Sequence, residues 1–320
     1  MAVTLEQAKL NVQDALQKGV IDEFQKSNYL WNNLTFEDAV SPTGGGATLT
    51  YAYTRLKTQP TAAFRAINSE YTSQEVEKER HTVDLAIFGG AYKVDRVIAS
   101  MGGIVNEVTL QMQQKIKAAS ALFNDTVING DNSKDSNAFD GLDKAVTGSV
   151  TENVLDTAID LSTAAAIDAN YKEFLDNLDE TLAEMDGTPS ALLMSSKMLT
   201  KFKAVIRRAT AYQETKDSFG KIIPAYDGIP LIDLGAKCGS NDPVVGIGSD
   251  GTTSIYAVRF GLDGFHAVSL AGVSPITSRL PDFTTAGAVK EGDVEMVAAV
   301  ALKATKAAAV MRNIQIKTAG

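Results

Sequence analysis

Apolar and polar positions separate most sharply over residues 103–128. Ile104, Val108, Met112, Ile116, Ala119, Leu122 and Phe123 recur every three or four positions, while Asn106, Glu107, Gln111, Gln113, Lys115 and Lys117 face away. This is the stripe of a one-sided helix, roughly 39 Å long at about 1.5 Å per residue, and it stops at the turn signal Asn129-Gly130-Asp131. Upstream the period changes from 3.6 to 2. Leu49, Tyr51 and Tyr53 alternate with Thr48, Thr50 and Thr54, and Val83, Leu85 and Ile87 alternate with Thr82, Asp84 and Ala86. Two half-buried strands are predicted, the second over 81–88 and ending at Gly89-Gly90. Between them, residues 55–80 hold few large apolar side chains and finish in Glu75-Val76-Glu77-Lys78-Glu79-Arg80. A connection beyond about 12–15 residues is unusual in a compact domain and tends to be functional or disordered. The plain alternative is a solvent-exposed hairpin with a charged tip.

The second half alternates helix and strand. An acidic helix over 171–185 turns Phe174, Leu175, Leu178, Leu182 and Met185 inward, a buried strand follows over 191–195, and a helix over 196–212 has a Phe202, Val205, Ile206, Ala209 face. After the turn Tyr226-Asp227-Gly228-Ile229-Pro230 come strands over 244–247, 255–260 and 266–270, and a long strand over 294–302. At the other end, residues 5–25 are helix-compatible but too thin in apolar positions for a core of their own, so they read as an arm that leans on something.

Composition narrows the function classes. With 320 residues, 44% hydrophobic, and 30 basic against 39 acidic side chains for a net charge of −9, the chain is an ordinary globular one of two domains or one elaborated domain. A single cysteine, Cys238, and two histidines, His81 and His266, exclude an internal disulfide and a Cys/His zinc cage. Residues 1–10 carry Glu6 and Lys9 and no apolar core of a secretory signal, and the apolar stretch 296–311 is interrupted by Lys303 and Lys306. The expectation is a protein that stays in a reducing cytoplasm. Its acidity argues against wrapping nucleic acid by phosphate neutralisation.

The chemistry-bearing patterns are weak. Gly246-Ile247-Gly248-Ser249-Asp250-Gly251 fits G-x-G-x-x-G, but a dinucleotide site needs a helix next, and 252–260 reads as a strand. Asp131, Ser133 and Asp135 have calcium-loop spacing, yet Ser136 and Leu142 stand where glycine and glutamate belong. His81 and His266 both read as structural. Lys201, Lys203, Arg207 and Arg208 share one helix, and Lys303, Lys306, Arg312 and Lys317 mark the carboxyl end. They form a solvated face, or they pair across subunits with Glu75, Glu77 and Glu79 or with Asp176, Asp179, Glu180 and Glu184. Opposite patches on one chain suit head-to-tail contacts that close into rings.

The order of parts resembles the major capsid proteins of tailed bacteriophages, the Hong Kong 97-type fold. The resemblance covers nearly the whole chain. It is carried by Ser69-Glu70, the strand 81–88 with Tyr92-Lys93-Val94, and Phe123-Asn124-Asp125-Thr126-Val127-Ile128-Asn129-Gly130-Asp131 followed by Gly141-Leu142. Leu192-Leu193-Met194-Ser195 and Asp227-Gly228-Ile229-Pro230-Leu231-Ile232 add a second match. The resemblance implies an α+β chain with an N-terminal arm (1–28), a peripheral domain with a long spine helix (29–47, 91–144 and 281–304), an extended E-loop hairpin (48–90) and an axial α/β domain (145–280 and 305–320).

The implied function is a shell of pentamers and hexamers, an icosahedral phage head enclosing double-stranded DNA without sequence-specific binding. It would be assembled in the bacterial host cytoplasm, with a portal and no membrane. Many family members begin with a scaffolding segment, whereas Met1 here stands almost directly at the arm, so a separate scaffolding protein, or none, is expected. Glu75, Glu77, Lys78, Glu79, Arg80, Lys203, Arg207 and Arg208 become candidate assembly contacts, and Gly44, Gly45, Gly46, Gly89, Gly90, Gly102 and Gly103 candidate hinges. No catalytic, cofactor or metal site is implied, and the Lys–Asn cross-link of one branch finds no matching residues. The alternatives are an encapsulin shell holding cargo, another virion part such as a tail component, and a soluble α/β enzyme using a carboxylate pair.

Overall fold

A computed structural model describes residues 29–40, 49–101, 106–210, 213–216, 222–240, 242–272 and 274–318. In chain order the elements are α1 (Tyr29–Asn33), β1 (Phe36–Val40), β2 (Thr50–Leu56), β3 (Lys78–Asp84), β4 (Ala86–Asp95), α2 (Arg96–Ser100), α3 (Glu107–Asn129), α4 (Leu142–Val146), β5 (Glu152–Asp160) and α5 (Ala164–Ala183). There follow β6 (Ala191–Met194), α6 (Ser196–Arg208), β7 (Gln213–Lys216), β8 (Ile222–Tyr226), β9 (Ile229–Asp233), β10 (Thr252–Val258), β11 (Phe265–Leu270), β12 (Ile276–Arg279), β13 (Val289–Leu302) and β14 (Ala308–Gln315).

The strut helix forms as its stripe predicts. Asn106 caps α3 by accepting the Thr109 N–H at 3.2 Å, and Glu107 puts a negative charge in the first turn, where the helix dipole favours it. Its second half is buried through Ala119, Ala121, Phe123, Val127 and Ile128, while Leu122, expected inward, is exposed. At the helix end the returning loop leaves no room for a side chain: a Cβ on Gly130 would stand 2.3 Å from the Phe139 carbonyl oxygen, and one on Gly141 2.6 Å from that of Thr126. The Asn-Gly-Asp turn and the later Gly-Leu are therefore fixed by close backbone approach.

Two sheets make the body. The first runs β1-β11-β13-β12 with β4 on the other edge of β13, and the second runs β5-β14-β10-β6-β9-β8-β7. Period-2 alternation sorts the second sheet's side chains. Leu193, Val258, Ala308 and Val310 join one core with the first sheet, the end of α3 and α4, whereas Leu192, Ala257, Ala309 and Met311 join another beneath α5 and α6. A smaller cluster of Tyr92, Val94 and Ile98 takes in Met112 of α3 and Phe283.

Several expectations are corrected. The strand predicted over 81–88 is two strands that break at Leu85, and β4 runs on through Gly89 and Gly90, which pair with Glu295 and Val294. A Cβ on Gly89 would lie 2.0 Å from the Val294 carbonyl oxygen, so this glycine serves tight ladder packing. Residues 244–247 are buried at Val244 and Val245 but form no strand, and α5 begins at Ala164, capped by Thr163, well before the predicted 171. The helix predicted over 196–212 ends at Arg208. β11 and β12 lie in the first sheet with β1 and β13, although the division at 280 placed them with the axial half. Local sequence names a strand but not its partner in the sheet. Residues 1–28, Gly44, Gly45, Gly46, Gly102 and Gly103 lie outside the described residues.

Candidate assembly interface

The long hairpin is built on one short ladder. β2 and β3 pair antiparallel from Thr50↔Asp84 to Leu56↔Lys78. Beyond that pair the chain is held only by a few local bonds, among them Lys57 N–H to Glu77 O at 2.8 Å and Thr61 N–H to Gln74 Oε1 at 2.8 Å, and it turns at Asn68, whose φ is 67°. Every residue from 59 to 80 is exposed. Four are large and apolar: Phe64 at 108%, Ile67 at 91%, Tyr71 at 64% and Val76 at 39% relative exposure.

The base of the hairpin is held tightly by contrast. The Tyr51 hydroxyl donates to Glu37 Oε2 at 2.7 Å, the Tyr53 hydroxyl donates to the Leu302 carbonyl at 2.9 Å, and Arg55 Nε donates to the Lys303 carbonyl at 2.7 Å while its other nitrogen reaches Leu302. Lys303 Nζ lies 2.9 Å from the same Glu37 oxygen and over the Tyr51 ring. The Tyr53 ring stacks on His81 with centroids 5.6 Å apart. His266, fully buried, sets its ring edge-on to Tyr51 and its Nε2 3.0 Å from Glu37. Burial first, then the neighbouring Lys303 charge, holds the His266 pKa below its ordinary value. Burial alone would raise the Glu37 pKa, but hydrogen bonds from Lys303 and Tyr51 and the Lys303 charge outweigh it and lower it. A neutral imidazole therefore sits beside an ionised carboxylate bridging hairpin and sheet.

The predicted contact residues fall in two places. Glu75, Glu77, Lys78, Glu79 and Arg80 lie on the exposed hairpin, where Lys57 meets Glu77 at 3.6 Å and Glu79 stands 3.9 Å from His81. Lys203, Arg207 and Arg208 lie on α6. Among the described residues no ion pair joins the two groups. Arg208 pairs instead with Asp168 of α5, while Arg207 donates to the carbonyl of Lys203 at 3.0 Å. Glu37, Tyr51, Tyr53 and Arg55 were missed as a unit, since the alternation of the two tyrosines marks a half-buried strand but not what its polar tips reach.

The other candidate motifs have structural roles. Asp131 accepts from Lys144 Nζ at 2.7 Å and from the Ser133 hydroxyl at 2.7 Å, and these bonds, Lys144 first, hold its carboxyl well below the usual range. The glycines of 246–251 form a turn in which the Gly248 N–H donates to Thr252 O at 2.8 Å, and a strand follows as expected, so the helix a pyrophosphate needs is missing there. Arg312 of β14 lies 2.6 Å from Glu152 and 2.7 Å from Asp143, whose carboxylate also accepts the Tyr256 hydroxyl at 2.7 Å. No described helix is long and apolar enough to cross a membrane.

No protein-family model and no curated protein matches the chain. Solved structures do match, over nearly its full length. The holo-SrpI encapsulin complex of Synechococcus elongatus is 16% identical with a TM-score of 0.66, covering 99% of this chain and 97% of that one. The capsid of the Myoviridae phage XM1 is 10% identical with a TM-score of 0.61, covering 94% and 97%. A Mycobacterium phage Adephagia structure is 14% identical with a TM-score of 0.59, covering 98% of both chains. With its β2–β3 hairpin, the α3 strut packed on β4 and β13, and a second sheet covered by α5 and α6, the chain shares the fold of these structures, the Hong Kong 97-type fold.

Proposed function

We propose that the chain is a major capsid protein, which self-assembles as pentamers and hexamers into an icosahedral phage head around double-stranded DNA. The observation that carries this is the hairpin. Phe64, Ile67 and Tyr71 stand in solvent on a segment that has no core of its own, and apolar surface of that kind marks a contact with another molecule. In a shell the other molecule is a neighbouring subunit, and the charged run from Glu75 to Arg80 flanks the apolar contact and sets its register. The role is structural, not catalytic. The net charge of −9 suits a wall that encloses DNA without binding its sequence. On this reading residues 29–47, 91–144 and 281–304, with β11 and β12 added, are the peripheral domain, residues 48–90 the E-loop, and the second sheet with α5 and α6 the axial domain. A separate scaffolding protein and a portal complete the assembly, which takes place in the host cytoplasm.

A second reading, an encapsulin-type compartment, is favoured by the likeness to the SrpI complex, whose TM-score of 0.66 exceeds the 0.61 of phage XM1. Negative-stain imaging of the purified protein, with a scaffolding protein supplied where needed, tests both. Closed shells or five- and six-membered rings are expected, and protein cargo co-purifying inside them favours the second reading. A persistent monomer overturns both.

A further inference from the structure

The two helices that cover the second sheet carry opposite charge. α5 holds Asp168, Glu173, Asp176, Asp179 and Glu180 against one lysine, with Glu184 just beyond it, while α6 holds Lys197, Lys201, Lys203, Arg207 and Arg208 and no carboxylate. Their apolar faces share one core, but α5 lies against β5 and β14 and α6 against β9, so they cover opposite halves of the sheet. Within the chain the charges are barely used. Arg208 pairs with Asp168, Asp179 accepts the Tyr226 hydroxyl at 2.8 Å, and Lys201 reaches the Ser162 carbonyl. Among the described residues Glu173, Asp176 and Glu180 make no ion pair, and neither do Lys203 and Arg207; all are exposed except Lys203, which is half-buried.

We propose that α6 of one subunit docks against α5 of the next, a head-to-tail contact between copies of this chain. It rests on the shell reading and specifies which surfaces close the ring. A partner of one sign satisfies only one of the two faces, whereas a second copy satisfies one face and presents the other again, so the contact repeats until the ring closes. The hairpin tip is the weaker partner for α6. Its carboxylates Glu70, Glu75, Glu77 and Glu79 are matched by Lys57, Arg65, Lys78 and Arg80 on the same segment, which leaves no net field to attract a basic helix.

Charge exchange in the full chain tests this. K203E/R207E leaves α6 at net +1 and E180K/E184K leaves α5 with Glu184 at net −1. Each removes most of the attraction and sets like charges together where Lys203 and Arg207 would meet Glu180 and Glu184, and is expected to raise the concentration needed for rings by about tenfold or more, with unchanged circular dichroism and melting. The quadruple variant, carrying both exchanges, is expected to regain rings. Wild-type assembly by both double variants, or failure of a folded quadruple variant to recover while the wild type assembles, overturns the docking and leaves the shell reading intact. A wild type that never assembles removes the shell reading and this contact with it.

Discussion

Replacing Phe64 by alanine separates assembly from folding. The phenyl ring is fully exposed and belongs to none of the three buried clusters, so the isolated subunit has nothing to lose when it is removed. If a neighbour covers the ring in the shell, the variant forfeits the transfer of a large apolar side chain out of water, about 1.5–3 kcal/mol per contact. At about 1.4 kcal/mol per factor of ten, a central figure of ~2 kcal/mol weakens the contact roughly thirtyfold. The assay is a concentration series of wild type and F64A followed by sedimentation, with thermal melting of unassembled protein alongside. Melting should be unchanged and the assembly threshold displaced upwards by about that factor. Phe123→Ala is the contrast: that ring is buried among Trp31, Phe36, Phe88 and Phe139, and its loss should cost about 3–5 kcal/mol of subunit stability. A lowered melting point for F64A, or shells at the wild-type threshold, would refute the role given to the hairpin tip.

Further outcomes follow from the same geometry. Gly89→Ala drives a methyl group to 2.0 Å from the Val294 carbonyl and should cost about 2–4 kcal/mol in denaturant unfolding; a neutral result would return this glycine to the role of a free hinge. Because the folded pKa of His266 is depressed, the unfolded chain takes up its proton first on acidification. Its contribution to stability is complete above the ordinary value near ~6.5 and is lost as pH falls below it, a slope that His266→Leu should flatten. Glu37, also depressed, adds a loss that begins only below the ordinary carboxylate value of 4.5, so the two windows separate in a urea series over pH. Reversing Glu75, Glu77 and Glu79 together to lysine should weaken assembly and leave subunit melting as it was; unchanged shells would remove them from the interface.

What the sequence shows clearly is whatever repeats locally. The α3 stripe and the alternation in β2 each mark one buried face, and that face is a property of a few neighbouring residues. Leu122 shows the limit. Its spacing fits the stripe, but the second half of α3 is contacted over a broad arc that buries Ser120, Ala121 and Asn124 and leaves Leu122 out. Partners distant in sequence leave no such mark. The parallel pairing of β1 with β11 joins residues more than two hundred positions apart, and it carried β11 into a sheet that no local pattern assigns. Glu37 shows the same limit in the site, since only the fold brings it to Tyr51, His266 and Lys303.

The hairpin base explains how a loosely held tip still reports on the body of the subunit. Tyr53 and Arg55 grip the carbonyls of Leu302 and Lys303, where the chain leaves β13 of the first sheet and, after a short 3-10 turn, enters β14 of the second. Tyr51 meanwhile binds Glu37 beside β11. Displacing the hairpin as a rigid unit must therefore either break these bonds or move the crossing between the two sheets. Beyond Leu56 and Lys78 the ladder stops, and residues 59–80 can change course at the cost of a few exposed bonds. If the chain builds a shell as proposed, adaptation to neighbours of different curvature falls to the tip, while the base keeps the two sheets in register. Arg55→Ala distinguishes this from a hairpin that merely rests on the surface. It frees the Lys303 carbonyl, so amide exchange should quicken in both β2 and the β13–β14 crossing; protection lost in β2 alone would show that the two are not coupled.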